Sequence, residues 1–452
     1  MKLSKYIKQF NLNDEKVVLF NTLTGAIDVM NGEMYDSLKN GNFKHINSET
    51  ITQLKMRGYI FENQLEEERL VKQLLELEGK MPDVTFIICV TYACNLDCTY
   101  CFEKKSLVRG ERILSKDEVD KIFECVEIIS AERKFKNIHI LLYGGEPLLK
   151  RNINIVEYIF SETRKRNYRI QAITNGTELS VYKDLFKRNL DIMSTFQITL
   201  DGTKQIHNKT RKYYNGKGSY EHIVENVDYC VALGMPITLR INVGKENIGN
   251  IGEVLKLICE KGWNRYKNFL CHLAPITDHL CNYDIAEWMP EPQILQGLLD
   301  TINQYSDGDN KINIKLGTDM EKHISRLRNI IDNKNKIVNG LYPCAAAIRN
   351  YFIFGIDGYI YACPETVGLQ EYSIGKYVPK FYISEEKERI WKRNVTNIDN
   401  CKNCNIAGAC GGGCIWSSIA TRGKNFEHAQ CNFAEETIDT YFDMIKSDLK
   451  FI

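Results

Sequence analysis

Between Thr91 and Glu103 the chain reads Thr-Tyr-Ala-Cys94-Asn-Leu-Asp-Cys98-Thr-Tyr-Cys101-Phe-Glu, three thiols spaced C-x3-C-x2-C with no fourth at ligand spacing. A closed zinc site or a complete iron–sulfur site takes four protein ligands. Three thiolates on one short loop can instead hold three irons of a [4Fe–4S] cluster and leave the fourth iron open to an outside molecule. That open corner is where reactivity would arise. A zinc site completed by a distant ligand is the alternative use of the same thiols.

Further motifs follow at strand ends. Tyr143-Gly144-Gly145-Glu146-Pro147 begins soon after Cys101, with glycines that let backbone approach a ligand closely and a carboxylate that can receive an ammonium group. Thr174-Asn175-Gly176-Thr177 and Thr199-Leu200-Asp201-Gly202 come next, and Arg211 stands twelve residues after Thr199 in His207-Asn-Lys-Thr-Arg. A guanidinium suits a carboxylate because the pair is charge-assisted and can be bidentate. A solvated surface charge is the plainer reading of Arg211, and ordinary packing that of His207. Toward the C-terminus stand Cys344, then Gly358-x4-Cys363, then Cys401-x2-Cys404-x5-Cys410-x3-Cys414, then Cys431, with Gly411-Gly-Gly413 able to wrap close to sulfur. Cys89, Cys125, Cys230 and Cys259 fall within strand or helix patterns and read as small apolar residues.

Together these motifs resemble the radical S-adenosylmethionine (SAM) superfamily and, in the last seven cysteines, its SPASM peptide maturases. The resemblance implies that Cys94, Cys98 and Cys101 ligate a cluster whose open iron chelates SAM and, once reduced, cleaves it to a 5′-deoxyadenosyl radical. It implies that Gly144, Gly145 and Glu146 bind the SAM amino group, that Thr199 (Ser in the family pattern) and Arg211 hold its carboxylate, and that Tyr100 packs near the adenine. It further implies two auxiliary [4Fe–4S] clusters, one on Cys344, Cys363 and Cys414 and one on Cys401, Cys404, Cys410 and Cys431. Family members that fully ligate the first carry an eighth cysteine soon after the first; Ala345 to Ala362 holds none. Either Cys271 or Cys281 completes it, or one iron stays open to a substrate thiolate.

These residues need elements to position them. Apolar strand patterns run over Thr85–Val90, Ile138–Tyr143, Arg169–Thr174, Phe196–Leu200, Thr238–Val243 and Phe269–Leu273. Helical patterns between them include Ser115–Arg133, Ile153–Arg166, Ser219–Leu233 and Asn250–Lys261, the first opened by the capping box Ser115-Lys-Asp-Glu118. Six βα units predict an α/β fold with a parallel sheet curved as a partial (β/α)6 TIM-type barrel, its chemistry at the strand ends. Arg240, on the fifth strand, can point inward. Ahead of it, Val17–Asn21 and Ala26–Met30 form a hairpin through Thr22-Leu-Thr-Gly25, followed by helices near Asn31–Leu38 and Ser48–Met56, a strand at Tyr59–Phe61 and a linking helix Glu66–Lys80. This order resembles a winged-helix element that binds leader peptides. Met289-Pro-Glu-Pro predicts a turn, Met320–Asn335 a surface helix, and Ala434–Asp448 a closing helix. The expected domains are 1–75 for peptide recognition, 84–310 for the barrel and 342–452 for the auxiliary clusters.

Lys and Arg number 59 against 58 Asp and Glu, a net charge of +1, so no basic field calls for nucleic acid or a membrane surface. No apolar run reaches the roughly 20 residues of a membrane span, and the start lacks a signal-peptide pattern, which predicts a cytoplasmic protein. Sixteen cysteines in a reducing compartment point to metal ligation over disulfides. The expected activity is modification of a Cys-containing, leader-bearing ribosomal precursor peptide, forming thioethers with a low-potential donor such as flavodoxin or ferredoxin. Anaerobic sulfatase maturation is the alternative within the family, and a non-catalytic zinc scaffold the alternative outside it.

Overall fold

A computed structural model of the chain describes residues 1–103, 110–277, 288–305, 311–331, 340–421, 428–431 and 433–447. The chain divides into two compact units: 1–80 with 318–348 and 393–452, and 81–317 with 349–392.

The first unit opens with β1 (Lys2–Leu3), β2 (Ile7–Asn11), β3 (Lys16–Asn21) and β4 (Ile27–Asn31), and β5 (Ile60–Phe61) pairs antiparallel with β1. The predicted hairpin is β3–β4; β2, whose polar alternation hid it, adds on the far side of β3. Asn31, Asn47 and Asn63 side chains cap helices Gly32–Lys39, Ser48–Met56 and Gln64–Gly79, each accepting from an otherwise unpaired backbone N–H. One apolar core joins all three segments of the unit: Tyr6, Leu23 and Val71 pack with Leu341 and with Val395, Ile398, Cys401 and Ala407. Phe10 also stacks on Phe442 at 3.9 Å, and Lys8 pairs with Glu435 and Asp439 at 2.6 and 2.9 Å. Helix Thr318–Ile331 corrects an expectation. Met320, Ile324 and Leu327 are fully buried, so it is a core helix whose charged composition masked an i, i+4, i+7 stripe; the remainder of Met320–Asn335 lies outside the described residues.

The second unit is built on one eleven-stranded sheet. Its parallel part is β6 (Asp83–Thr91), β7 (Asn137–Gly144), β8 (Arg169–Thr174), β9 (Met193–Thr199), β10 (Ile237–Val243) and β11 (Phe269–Pro275), the six predicted strands in chain order. β12 (Ile314–Leu316) adds parallel to β11, and β13 (Tyr351–Phe354) parallel to β6. Beyond β13 the sheet turns antiparallel through β14 (Tyr359–Tyr361), β15 (Gly375–Lys376) and β16 (Tyr382–Ile383). Near-continuous apolar strands fit a sheet covered on both faces. Phe196 meets Phe186 of helix Lys183–Asn189 at 5.5 Å, so its row, Phe196–Ile237–Phe269, faces the helices. Thr199, Arg240 and His272 form the row three residues on, which therefore faces the interior. The turn expected at Met289–Pro292 opens instead into helix Glu291–Tyr305. No helix among the described residues is long and apolar enough to cross a membrane.

Candidate active site

Strand β6 delivers the Cys94–Cys101 loop, and backbone hydrogen bonds tie that loop to distant motifs. Asp97 N donates to Lys212 O at 2.7 Å and Thr99 N to Thr210 O at 3.0 Å, which brings Arg211 alongside the cysteines. Glu146 N donates to Ala93 O at 2.8 Å, and Gly145 N to Thr91 O at 3.0 Å. A Cβ on Gly145 would stand 2.3 Å from Ala93 O, so only glycine allows this approach. Asn175 Nδ2 lies 3.8 Å from Cys94 Sγ and donates to Asn95 Oδ1 at 2.7 Å. The C-x3-C-x2-C, G-G-E-P, T-N-G-T and H-x3-R motifs thus converge at one end of the sheet.

Glu146 is almost fully buried. Its carboxylate accepts from Leu148 N at 2.9 Å, Thr174 Oγ1 at 2.6 Å and Asn175 N at 2.5 Å. Burial raises its pKa to about 7, against the pull of those three donors and of Arg211. Its first task is therefore to lock the ends of β7 and β8 together, and only its one remaining lone pair, on Oε2, can meet an ammonium group.

Arg211 is not a surface charge but is 7 % exposed, and its Nη1 donates to Tyr100 OH at 2.9 Å. Tyr100 donates in turn to Asp201, which lies 3.9 Å from Arg211 Nε and accepts from Asn242 N at 3.0 Å. Burial works against the guanidinium, but the Cys98, Tyr100 and Asp201 groups outweigh it and keep the charge. Among the described residues Arg211 Nε has no hydrogen-bond partner and is a buried, unsatisfied donor. Thr199, buried one strand from Arg240, ends β9 in the same interior row.

His207 is wholly buried. Its Nδ1 accepts from Asp201 N at 3.1 Å, so Nε2 carries the proton and donates to Ser219 Oγ at 2.9 Å, which donates to Arg211 O at 2.7 Å. Burial and the Arg211 charge lower its pKa to about 3, so it stays neutral and structural. Asn175 and Asp201 stand inside two of the strand-end motifs, and Asn242 completes the site without a motif of its own; a polar side chain at the carboxyl end of an apolar strand was the signal available for it. Beside Cys94 lies a cavity of about 840 Å³ bordered by Asn95, Lys150, Arg151 and Glu178; Arg211 and Tyr100 do not line it.

The first unit carries its own cysteine set. Cys401, Cys404, Cys410 and Cys431 line a cavity of about 180 Å³. Gly411, Gly412 and Gly413 all take positive φ, and a Cβ on Gly413 would stand 1.8 Å from Gln430 O, so the run is closed to other residues. Burial would raise the Cys410 thiol, yet a hydrogen bond and charge from His323, with Lys322, leave it below the ordinary thiol value. Cys344 and Cys414 lie within electrostatic reach of each other in this unit; Cys363 follows β14 in the other unit. Cys271 is buried in β11 on its helix-facing side with its thiol pushed up to about 12, a core residue, and Cys281 lies outside the described residues. Cys89, Cys125 and Cys230 are buried as expected, whereas Cys259 is partly exposed. Among the described residues no three His, Cys, Asp or Glu side chains converge as ligands of a single ion. A cubane spreads its thiolates over different irons, so its ligands need not converge on one point. The unsatisfied buried donor on Arg211, the glycine cradles and the four-thiol cavity fit SAM and clusters.

The chain carries a radical SAM domain, residues 88–258 matching the Radical SAM superfamily, and it is an enzyme. It is 28% identical over 355 residues to the cysteine-type anaerobic sulfatase-maturating enzyme of Clostridium novyi, covering 71% of this chain and 84% of that one. It is 22% identical over 468 residues to the radical SAM cyclopropyl synthase TigE of Paramaledivibacter caminithermalis, covering 91% and 89%. Among solved structures, anSMEcpe with bound AdoMet superposes at TM-score 0.62 and 19% identity over 82% of this chain and 98% of that one. Streptococcus suis SuiB bound to precursor peptide SuiA gives 0.59 and 13% over 96% and 99%. These two likenesses establish a shared fold.

Proposed function

We propose that this enzyme matures a ribosomally synthesised precursor peptide by joining a Cys sulfur to a peptide carbon in a thioether. A reduced [4Fe–4S] cluster on Cys94, Cys98 and Cys101, when bound, supplies the 5′-deoxyadenosyl radical from SAM that takes hydrogen from that carbon. The chain's own residues bind and orient. Arg211, with Thr199, would receive the SAM carboxylate; Gly144, Gly145 and the one free lone pair of Glu146 would receive its ammonium group; Tyr100 would flank the adenine. The observation that carries the maturase reading is the second cysteine set with its own cavity. Cys401, Cys404, Cys410 and Cys431 would ligate one auxiliary cluster, and Cys344, Cys363 and Cys414 another. Three thiols in the latter would leave one iron for the substrate thiolate, which sheds its proton on binding, and that cluster would take up the second electron as the carbon radical joins the sulfur; the burial of Cys271 supports this reading. The SuiB complex with SuiA supports a peptide substrate. The segment 1–75 would hold the leader, and a flavodoxin or ferredoxin would supply the electron.

Anaerobic co-expression with short Cys-rich peptides, followed by tandem mass spectrometry, tests this. The product is expected to lose two hydrogens per bond, to keep that mass after thiol reduction and to have fewer alkylatable thiols. A modified peptide with every thiol still alkylatable would rule the thioether out. Identity to the C. novyi enzyme favours a second reading, oxidation of a sulfatase Cys to formylglycine. The same experiment on a sulfatase-derived peptide would then give a hydrazide-reactive aldehyde.

A further inference from the structure

Arg393 lies in the first unit, ahead of Val395, whose N–H donates to Leu341 O at 3.1 Å. Its side chain is only 3 % exposed. Nη2 donates to His428 O at 2.7 Å, but among the described residues Nε and Nη1 reach no acceptor. A buried guanidinium with two nitrogens unsatisfied requires a counter-charge and acceptors. Among the described residues no carboxylate is among the groups whose charge acts on it. Those groups are the thiols of Cys401, Cys414 and Cys344, and their attraction opposes the lowering of its pKa by burial. One of the three belongs to the four-cysteine set and two to the other, so a single cation serves both.

We propose that Arg393 is a shared positioning residue for the two auxiliary clusters, its Nε and Nη1 hydrogens donated to ligand or cluster sulfur and its charge easing the reduction of both. This rests on the assignment of those cysteines as cluster ligands. Thiolate-ligated cubanes are anionic, and reduction adds a further negative charge. A fixed cation and N–H donors at sulfur therefore stabilise the reduced form more than the oxidised one. Arginine suits the place because it stays protonated when buried and presents several donors in a planar fork, so it can address two partners. Gly412 closes the same neighbourhood: a Cβ there would stand 3.3 Å from Cys401 Sγ.

The test uses anaerobically reconstituted full-length protein with Cys94, Cys98 and Cys101 replaced by Ala, so that only auxiliary clusters contribute. Iron and sulfide are measured, and midpoint potentials are read by redox titration followed by electron paramagnetic resonance. R393Q is expected to keep iron for two cubanes and to shift at least one auxiliary midpoint to lower potential, with R393K between it and the parent. Full iron with unchanged midpoints in R393Q overturns the proposal. If R393Q loses iron, R393K decides, because a retained charge without the fork must still shift a midpoint. A parent protein that binds zinc in place of iron and sulfide would overturn the cluster assignment itself.

Discussion

At the scale of single residues, the site depends on groups whose protonation is fixed by burial. His207 titrates near 3 in the fold against an ordinary value of about 6.5, so between those limits the unfolded chain binds a proton that the folded chain refuses. Stability contributed by neutral His207 is therefore complete above about pH 6.5 and is lost as pH falls, at up to about 1.4 kcal/mol per pH unit. Glu146 runs the other way, since its pKa is raised to about 7 and the folded chain holds the extra proton. Comparing His207→Asn with the parent cancels Glu146. The variant is expected to cost about 1–3 kcal/mol at pH 7 through lost hydrogen bonds, and the gap should narrow by about 2 kcal/mol on going from pH 6.5 to 5. Urea unfolding of the metal-free proteins at each pH measures it; a gap that stays constant or widens would contradict the neutral-histidine assignment. This residue was visible as part of H-x3-R, but its use was not. Only the hydrogen bonds from Asp201 and to Ser219 separate a structural histidine from a ligand-binding one.

At the scale of elements, the parallel strands were legible because a sheet covered on both faces demands apolar runs, and β6 to β11 sit within a few residues of their predicted bounds. β2 was not, because Ile-Lys-Gln-Phe-Asn alternates with polar residues as strongly as a loop does. The same small sheet offers a testable edge. Asn21 N donates to Ala26 O at 2.8 Å, so alternation along β3–β4 leaves the Val29 N–H pointing away from β3. The neighbouring outward carbonyl, Ile27 O, is taken by Arg57 Nη2 at 2.8 Å, which confines any added strand to the Val29–Asn31 end. If a leader peptide docks there by strand addition, Val29→Pro removes one donor without touching the β3 ladder. Precursor affinity is expected to fall about tenfold, for a hydrogen bond of about 1.4 kcal/mol, while SAM cleavage without peptide is unchanged. Fluorescence anisotropy with a labelled precursor reads the first, and 5′-deoxyadenosine release the second. Truncation of 1–65 would be a poor substitute, since Phe10 and Lys8 brace the helix Ala434–Ile445.

At the scale of the whole molecule, the motif order gave the iron–sulfur chemistry its outline, and what spacing could not convey was which segments share a core. The Cys94/Cys98/Cys101→Ala protein is expected to fold, to retain iron for two cubanes against three in the parent, and to form no 5′-deoxyadenosine. Metal analysis and chromatography check it; continued SAM cleavage would remove these thiols from the chemistry. Arg393 and Asn242 stayed illegible because each works with groups distant along the chain, such as Cys344 for Arg393 and Tyr100 for Asn242.

The three-part make-up of the first unit has a further consequence, for synthesis on the ribosome. Residues 1–80 emerge first, but their partners from 393 onward follow only after roughly three hundred more have been translated, about 15–60 s later at ~5–20 residues per second. During that interval Phe10, Leu23 and Val71 have no Phe442, Ile398 or Ala407 to cover them, while the second unit can already have begun to collapse around its local βα repeats. If Cys401, Cys404, Cys410 and Cys431 ligate a cluster as proposed, its insertion is a late event. Under that proposal a cell short of iron or exposed to oxygen would accumulate chains with a finished sheet and an N-terminal segment open to chaperones and proteases.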